Sequence, residues 1–163
     1  MVSQLETPVL ATNARVEQMR GLASHLAAQI RGQPEALELV VSVLTRGEFG
    51  FAHPRRPKGS FLFIGPTGVG KTETVNVFTH YLFGSAPVRY DMSEYQLQKS
   101  VDKLIGENAH DRGLLGRALE NRTSGTLLFD ELEKAHPLVL DLFLQVLEDG
   151  RITLATGETL DLT

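Results

Sequence analysis

The sequence contains no cysteine, so disulfides, thiolate nucleophiles and cysteine-based metal sites are excluded and a reducing compartment is favoured. No stretch approaches the ~20 consecutive apolar residues of a membrane-spanning helix. The first residues also lack the basic-then-apolar pattern of a secretion signal. These absences predict a cytoplasmic protein with no membrane partner. Positive charge is not in excess either. Sixteen Lys and Arg face 20 Asp and Glu, for a formal net charge of -4, which argues against nucleic acid as the principal partner. One basic cluster, Arg55-Arg56-Pro57-Lys58, has no aromatic platform or basic helix beside it and reads as a solvated connecting loop. The histidines (His25, His53, His80, His110 and His136) form no i, i+4 pair, so no zinc site of ordinary spacing is implied. There are no internal repeats and no low-complexity tracts.

What remains is an ordinary globular composition. The 163 residues are 42% hydrophobic and 22% charged, enough for one domain with its own core. Residues 1–14 are polar and unpatterned and are expected to form a loose leader. From Val16 a helical stripe runs through Met19, Ala23, Leu26, Ala27 and Ile30. Gly32 suits a helix stop and Pro34 the first turn of a second helix, which carries Leu37, Val40, Val41 and Leu44 on one face. Arg46 to Gly59 reads as a Gly-, Pro- and Arg-rich linker. The organisation is therefore a leader (1–14), a helical segment with its linker (15–58) and a core from residue 59 to 163.

Within that core, Ser60-Phe61-Leu62-Phe63-Ile64 is a short apolar run suited to a buried parallel strand. Residues 65–72 follow it and read Gly65-Pro66-Thr67-Gly68-Val69-Gly70-Lys71-Thr72, a complete Gly-x4-Gly-Lys-Thr loop. Each position answers a need of a bound triphosphate. The glycines let successive backbone N–H groups approach phosphate oxygens, Lys71 supplies a flexible cation, and the Thr72 hydroxyl is a ligand for Mg2+. A helix is expected directly afterwards, with Val75, Phe78, Tyr81 and Leu82 on one face, so that its positive dipole end meets the phosphates.

A second strand is expected at Val88-Arg89-Tyr90, and helices around Val101, Leu104 and Ile105 and around Leu114, Leu115, Ala118 and Leu119. A third strand, Gly125-Thr126-Leu127-Leu128-Phe129, ends in Asp130-Glu131. Ligands of parallel sheets gather at the carboxyl ends of strands, so the acidic pair and the glycine loop should meet there. Asp130 would reach Mg2+ through water and Glu131 would polarise an attacking water. A helix over Val139, Leu142, Phe143 and Val146, starting at Pro137, and a hairpin pairing Ile152 and Leu154 with Leu160 and Leu162 complete the pattern. The alternation of strands and helices predicts an α/β fold, a parallel sheet flanked by helices with a helical segment before it.

Three stretches then resemble the second ATPase module of Clp-type AAA+ unfoldases and disaggregases. They are Gly59 to Glu73, Arg89-Tyr90-Asp91-Met92-Ser93-Glu94-Tyr95, and Leu128-Phe129-Asp130-Glu131-Leu132-Glu133-Lys134-Ala135-His136-Pro137 continuing through Leu144 to Arg151. The resemblance covers about residues 15–163. It implies a P-loop AAA+ fold, ATP and Mg2+ as ligands, a homo-oligomer (a hexamer in the family) and ATP hydrolysis coupled to remodelling of protein substrates. By position it assigns Lys71 and Glu131 to catalysis, Thr72 and Asp130 to the metal, and Pro66 to Thr72 to the phosphates. Ile30 and Arg31, next to Gly32-Gln33, would flank the adenine. An aliphatic residue is usual where Arg31 stands.

The loop matching the family's substrate-gripping loop, Gly106 to Gly113, has no Phe, Tyr or Trp and so lacks a stiff apolar grip. The family's sensor strand, arginine finger and helical lid would follow Thr163. An arginine finger is worth ~10^3 to 10^5 in rate, so weak turnover is expected of this chain alone. A nucleotide-gated assembly or scaffold subunit that binds ATP without threading substrate is the alternative reading.

Overall fold

The computed structural model describes residues 6–163, with side chains described from Asn13 onward. The first helix, α1, spans Glu6–Gln29. It therefore begins well inside the stretch expected to be a loose leader. Pro8 falls in the first turn, where a missing N–H is tolerated, and no glycine interrupts the run before Gly21. Residues 1–5 lie outside the described residues. The inward face of α1 also differs from the expected stripe. Met19, Leu22 and Leu26 are buried together with Ile30 just beyond the helix, whereas Ala23 and Ala27 are exposed. Leucine removes more apolar surface from water than alanine, so the helix turns Leu22 inward.

Helix α2 (Pro34–Glu48) begins on Pro34 and buries Leu37 and Val40. It runs past Arg46, where the linker was expected to begin. The first linker residues are thus helical. Gly47, near its end, lies against the linker backbone: a Cβ there would stand 1.9 Å from the Lys58 carbonyl oxygen. Helix α3 (Lys71–Phe83) buries Val75, Val77, Phe78 and Leu82. Helices α1, α2 and α3 enclose one apolar cluster, with Phe61, Phe63 and Leu128 packed against it.

Polar contacts clamp this unit. The Arg15 guanidinium donates to Glu48 at 2.9 Å and to the Leu82 carbonyl at 2.8 Å, and the Gln18 amide donates to the Tyr81 carbonyl at 2.6 Å. The last carbonyls of a helix have no intrahelical partner, so α1 supplies donors that α3 lacks.

Strands β1 (Val88–Asp91) and β2 (Leu127–Asp130) pair in parallel, with Val88 opposite Leu127 and Asp91 opposite Asp130. The run over residues 60–64, expected to be the strand that leads into the glycine loop, pairs with no strand among the described residues. It alternates as a strand would: Phe61 and Phe63 pack on the helical cluster, while Leu62 is 71% and Ile64 87% exposed. A strand takes its ladder from a neighbour. The β1 edge of β2 is occupied, and no described segment runs hydrogen-bonded beside residues 61–64. Among the described residues the parallel sheet is therefore two-stranded, and the strand expected at residues 60–64 is not part of it.

A second apolar cluster builds on β1. Tyr90, Met92, Tyr95, Leu104, Leu115, Val139 and Ile152 are all buried in it. Its helices are α4 (Lys99–Ile105), α5 (Gly113–Leu119) and α6 (Pro137–Asp149). The antiparallel hairpin of β3 (Arg151–Thr153) and β4 (Thr159–Asp161) closes it, as the alternating tail predicts, and Ala155 N–H donates to the Ile105 carbonyl. Fully buried Thr79 donates to Thr126 Oγ1 at 2.9 Å, tying α3 to the start of β2. Every buried side-chain nitrogen and oxygen among the described residues has a partner. No described helix is long and apolar enough to cross a membrane.

Candidate nucleotide-binding site

The phosphate loop sits at the amino end of α3. Gly68 and Gly70 hold φ of +84° and +92°, a region that side chains with a Cβ rarely enter. This lets the chain wind into the helix with its amides unspent. The first N–H groups of a helix have no internal acceptor and carry partial positive charge. In the last residues of the loop, Val69, Gly70, Lys71 and Thr72 are half-buried, whereas Pro66, Thr67 and Gly68 are exposed. Lys71 Nζ donates to the Gly65 and Pro66 carbonyls at 2.7 and 2.8 Å, so its ammonium lies over the loop rather than pointing away from it.

Asp130, at the tip of β2, reaches the same helix end, with the Thr79–Thr126 contact tying α3 to the start of that strand. Its Oδ2 stands 3.4 Å from Thr72 Oγ1, long for a hydroxyl hydrogen bond, across 58 positions of sequence. Both are hard oxygen donors of the kind Mg2+ takes. That ion is usually held by one or two protein oxygens plus substrate phosphates rather than by an all-protein cage. No group of three or more His, Asp or Glu among the described residues is placed to hold a metal ion by itself. The donor set fits Mg2+.

Glu131 follows in a left-handed backbone conformation, φ 55°. Its carboxylate pairs with Lys134 at 2.6 Å, and that contact holds the Lys134 ammonium above the usual lysine range. Asp130 is itself engaged: Arg89 Nη2 donates to Oδ2 at 2.7 Å and the Glu131 amide to Oδ1 at 3.2 Å.

Beside the loop lies a cleft of about 320 Å³, lined by Gln29, Ile30, Arg31, Gly32 and Gln33 on one side and by Gly68, Val69, Gly70 and Glu73 on the other. Ile30 is buried and Arg31 exposed. A Cβ on Gly70 would meet Ile30 Cγ2 at 3.8 Å. Ile30 and Arg31, expected at the adenine, thus share this hollow with Gly68, Val69 and Gly70 of the loop, whereas Pro66, Thr67, Lys71 and Thr72 do not line it. A larger cleft of about 370 Å³, between Val43, Phe51, Arg56 and Leu147, shares no residue with the phosphate loop.

Sequence reasoning missed Gln29, Glu73, Arg89 and Lys134. Lys134 carries a local signal, since it stands three residues after Glu131 in a single 3-10 turn. Arg89 carries none, because its contact depends on which residue of β2 lies opposite it.

Comparison with known proteins agrees with this geometry. The family described as "AAA domain (Cdc48 subfamily)" matches residues 56–163. The chain is 45% identical over 149 residues to the ATP-dependent Clp protease ATP-binding subunit ClpE of Lactococcus lactis, covering 87% of this chain and 20% of that protein. It is 45% identical over 152 residues to heat shock protein 100 of Trypanosoma brucei brucei (89% and 18%). To chaperone protein ClpB 1 of a Nostoc species it is 46% identical over 147 residues (86% and 17%). The chain spans about a fifth of the length of these curated relatives. With a glycine loop whose Thr72 faces the acidic strand end at Asp130, and with these relatives, the chain belongs to the AAA family as a Clp-type AAA+ ATPase module.

Proposed function

We propose that this module binds ATP with Mg2+ and hydrolyses it, and that in its full-length context hydrolysis drives remodelling of protein substrates. The observation that carries the reading is the approach of Thr72 Oγ1 and Asp130 Oδ2 to 3.4 Å at the mouth of the α3 helix. The amides of residues 66–70 and the α3 dipole would receive the phosphates, with Lys71 exchanging the Gly65 and Pro66 carbonyls for phosphate oxygens. Thr72 and Asp130 would hold Mg2+, which neutralises phosphate charge when bound. Glu131 would accept a proton from the attacking water, a role that requires it to release Lys134. Ile30 would offer an apolar wall to the adenine and Arg31 a planar cation at its rim. A cytoplasmic location and a hexameric ring follow from the same reading.

Calorimetric titration with ATP and MgCl2 tests this. Binding at micromolar to sub-millimolar concentration is expected; no heat up to millimolar ATP defeats the proposal.

The loop from Gly106 to Gly113 favours a second reading, ATP-gated assembly without threading. It is closed on itself, with Asp111 accepting from the Gly113 and Glu107 amides, and His110 is its one ring. Light scattering separates the two readings. ATP-dependent assembly without ATP-dependent unfolding of a tagged substrate supports the scaffold, and unfolding activity removes it.

A further inference from the structure

Arg89 stands out because the proposed site gives it no task and yet it makes the shortest contact to the proposed metal carboxylate. It lies on β1 opposite Leu128 of β2, two residues before the strand tip where Asp91 faces Asp130. Its guanidinium passes by Asp91, whose carboxylate is already engaged by the Ser93 hydroxyl at 2.6 Å and the Ser93 amide at 3.0 Å. Instead it donates to Asp130 Oδ2 at 2.7 Å, the same oxygen that faces Thr72. The Arg89 side chain is 56% exposed and that of Asp130 24%. The guanidinium is therefore free to swing toward water, whereas the carboxylate is held.

We propose that Arg89 is a positioning residue that sets the magnesium demand of the site, an inference that rests on the function proposed above. Two effects follow from one contact. While in place, the guanidinium aims Oδ2 at the α3 helix end, and it competes for that oxygen with the hydration shell of an arriving cation. Competition wins, because Asp130 keeps a second anchor when Arg89 leaves: Oδ1 still accepts from the Glu131 amide. An arginine moving into solvent also regains its hydration at little cost.

The test is nucleotide binding, not turnover. Wild type, Arg89→Met and Arg89→Lys are titrated with MgCl2 at fixed sub-saturating ATP, with EDTA as the metal-free arm. Methionine keeps the stem and removes the charge. Its half-saturating Mg2+ concentration is expected to fall by about two- to fivefold, the reach of an exposed ion pair. Arg89→Lys is expected to stay within about twofold of wild type, because the competing charge is kept. If Arg89→Met unfolds before binding can be read, Arg89→Gln carries the same expectation. An unchanged or higher magnesium requirement without the charge overturns the inference, as does a lysine variant that shifts as far as methionine. Failure of wild type to bind ATP would instead remove the proposed function, so the two outcomes are distinguishable.

Discussion

Glu131 is the described non-glycine residue with positive φ, at 55° and ψ 42°. Such a conformation costs on the order of 1 kcal/mol or more, and persists where the surroundings over-determine it. Here the Asp130 carboxylate accepts the Glu131 amide, and Lys134 holds its side chain. On the proposed function Glu131→Gln retains that backbone and the capacity to bind nucleotide while losing the proton acceptor. Calorimetry should show ATP affinity within a few-fold of wild type, and phosphate release should cease. Lys71→Ala should behave oppositely, because removing one partner of a desolvated charge contact costs about 2–5 kcal/mol. ATP binding should then fall below detection. At this scale the loop residues were legible because their spacing is contiguous and each residue type has a physical job. Arg89 was not, because a contact across strands depends on register.

At the scale of elements, the clearest coupling is between helices. Arg15 joins α1 to Glu48 of α2 and to the Leu82 carbonyl at the end of α3. Its hydrogen bond holds the Glu48 carboxyl below the usual carboxylate range. Arg15→Ala leaves a half-buried carboxylate and a helix-terminal carbonyl without that donor. Hydrogen bonds to charged groups are worth about 1.5–3 kcal/mol, so the melting temperature should fall by roughly 5 °C. Thermal denaturation followed by circular dichroism checks this.

The 106–113 loop answers to pH. The Gly113 amide and then the Glu107 amide, followed by Arg117, depress the Asp111 carboxyl below its ordinary value. A depressed folded-state value means this contribution is fully present above the ordinary Asp pKa of about 3.9, and is lost as pH falls through the folded value. Amide exchange at Glu107 and Gly113 should therefore accelerate in acid, relative to the intrinsic rate, before the α3 amides respond. Asp111→Asn should show the fast behaviour already at neutral pH. The α1 stripe shows how element-scale reading went partly astray. Periodicity located the helix, but the choice between Ala23 and Leu22 as the inward residue was made by the amount of surface each could bury.

At the scale of the molecule, the described residues form two apolar clusters, one among α1, α2 and α3 and one around β1 and α6. Leu62 and Ile64 are left exposed on a segment with no strand partner among the described residues, with Leu144 and Leu147 of α6 also exposed. Unpaired extended backbone with outward apolar side chains invites association with other chains. The 163-residue protein should therefore self-associate as its concentration rises. Leu62→Lys together with Ile64→Lys should reduce that association without unfolding the helical cluster, which is packed by Phe61 and Phe63 instead. Dynamic light scattering over a concentration series reads the effect; equal particle size in both proteins would contradict it.

What is local could be read from the residues alone: where most helices lie, though not where α1 begins or α2 ends, and where the glycine loop bends. Spacing and residue type suffice there, because those properties act over a few neighbouring residues. That Thr72 and Asp130 meet was expected, but that Arg89 holds the same oxygen and that residues 61–64 run without a strand partner among the described residues emerged from the packed chain. Each of those depends on which distant backbone lies alongside. Strand register and helix rotation are chosen by the packing of the whole chain, not by any one segment.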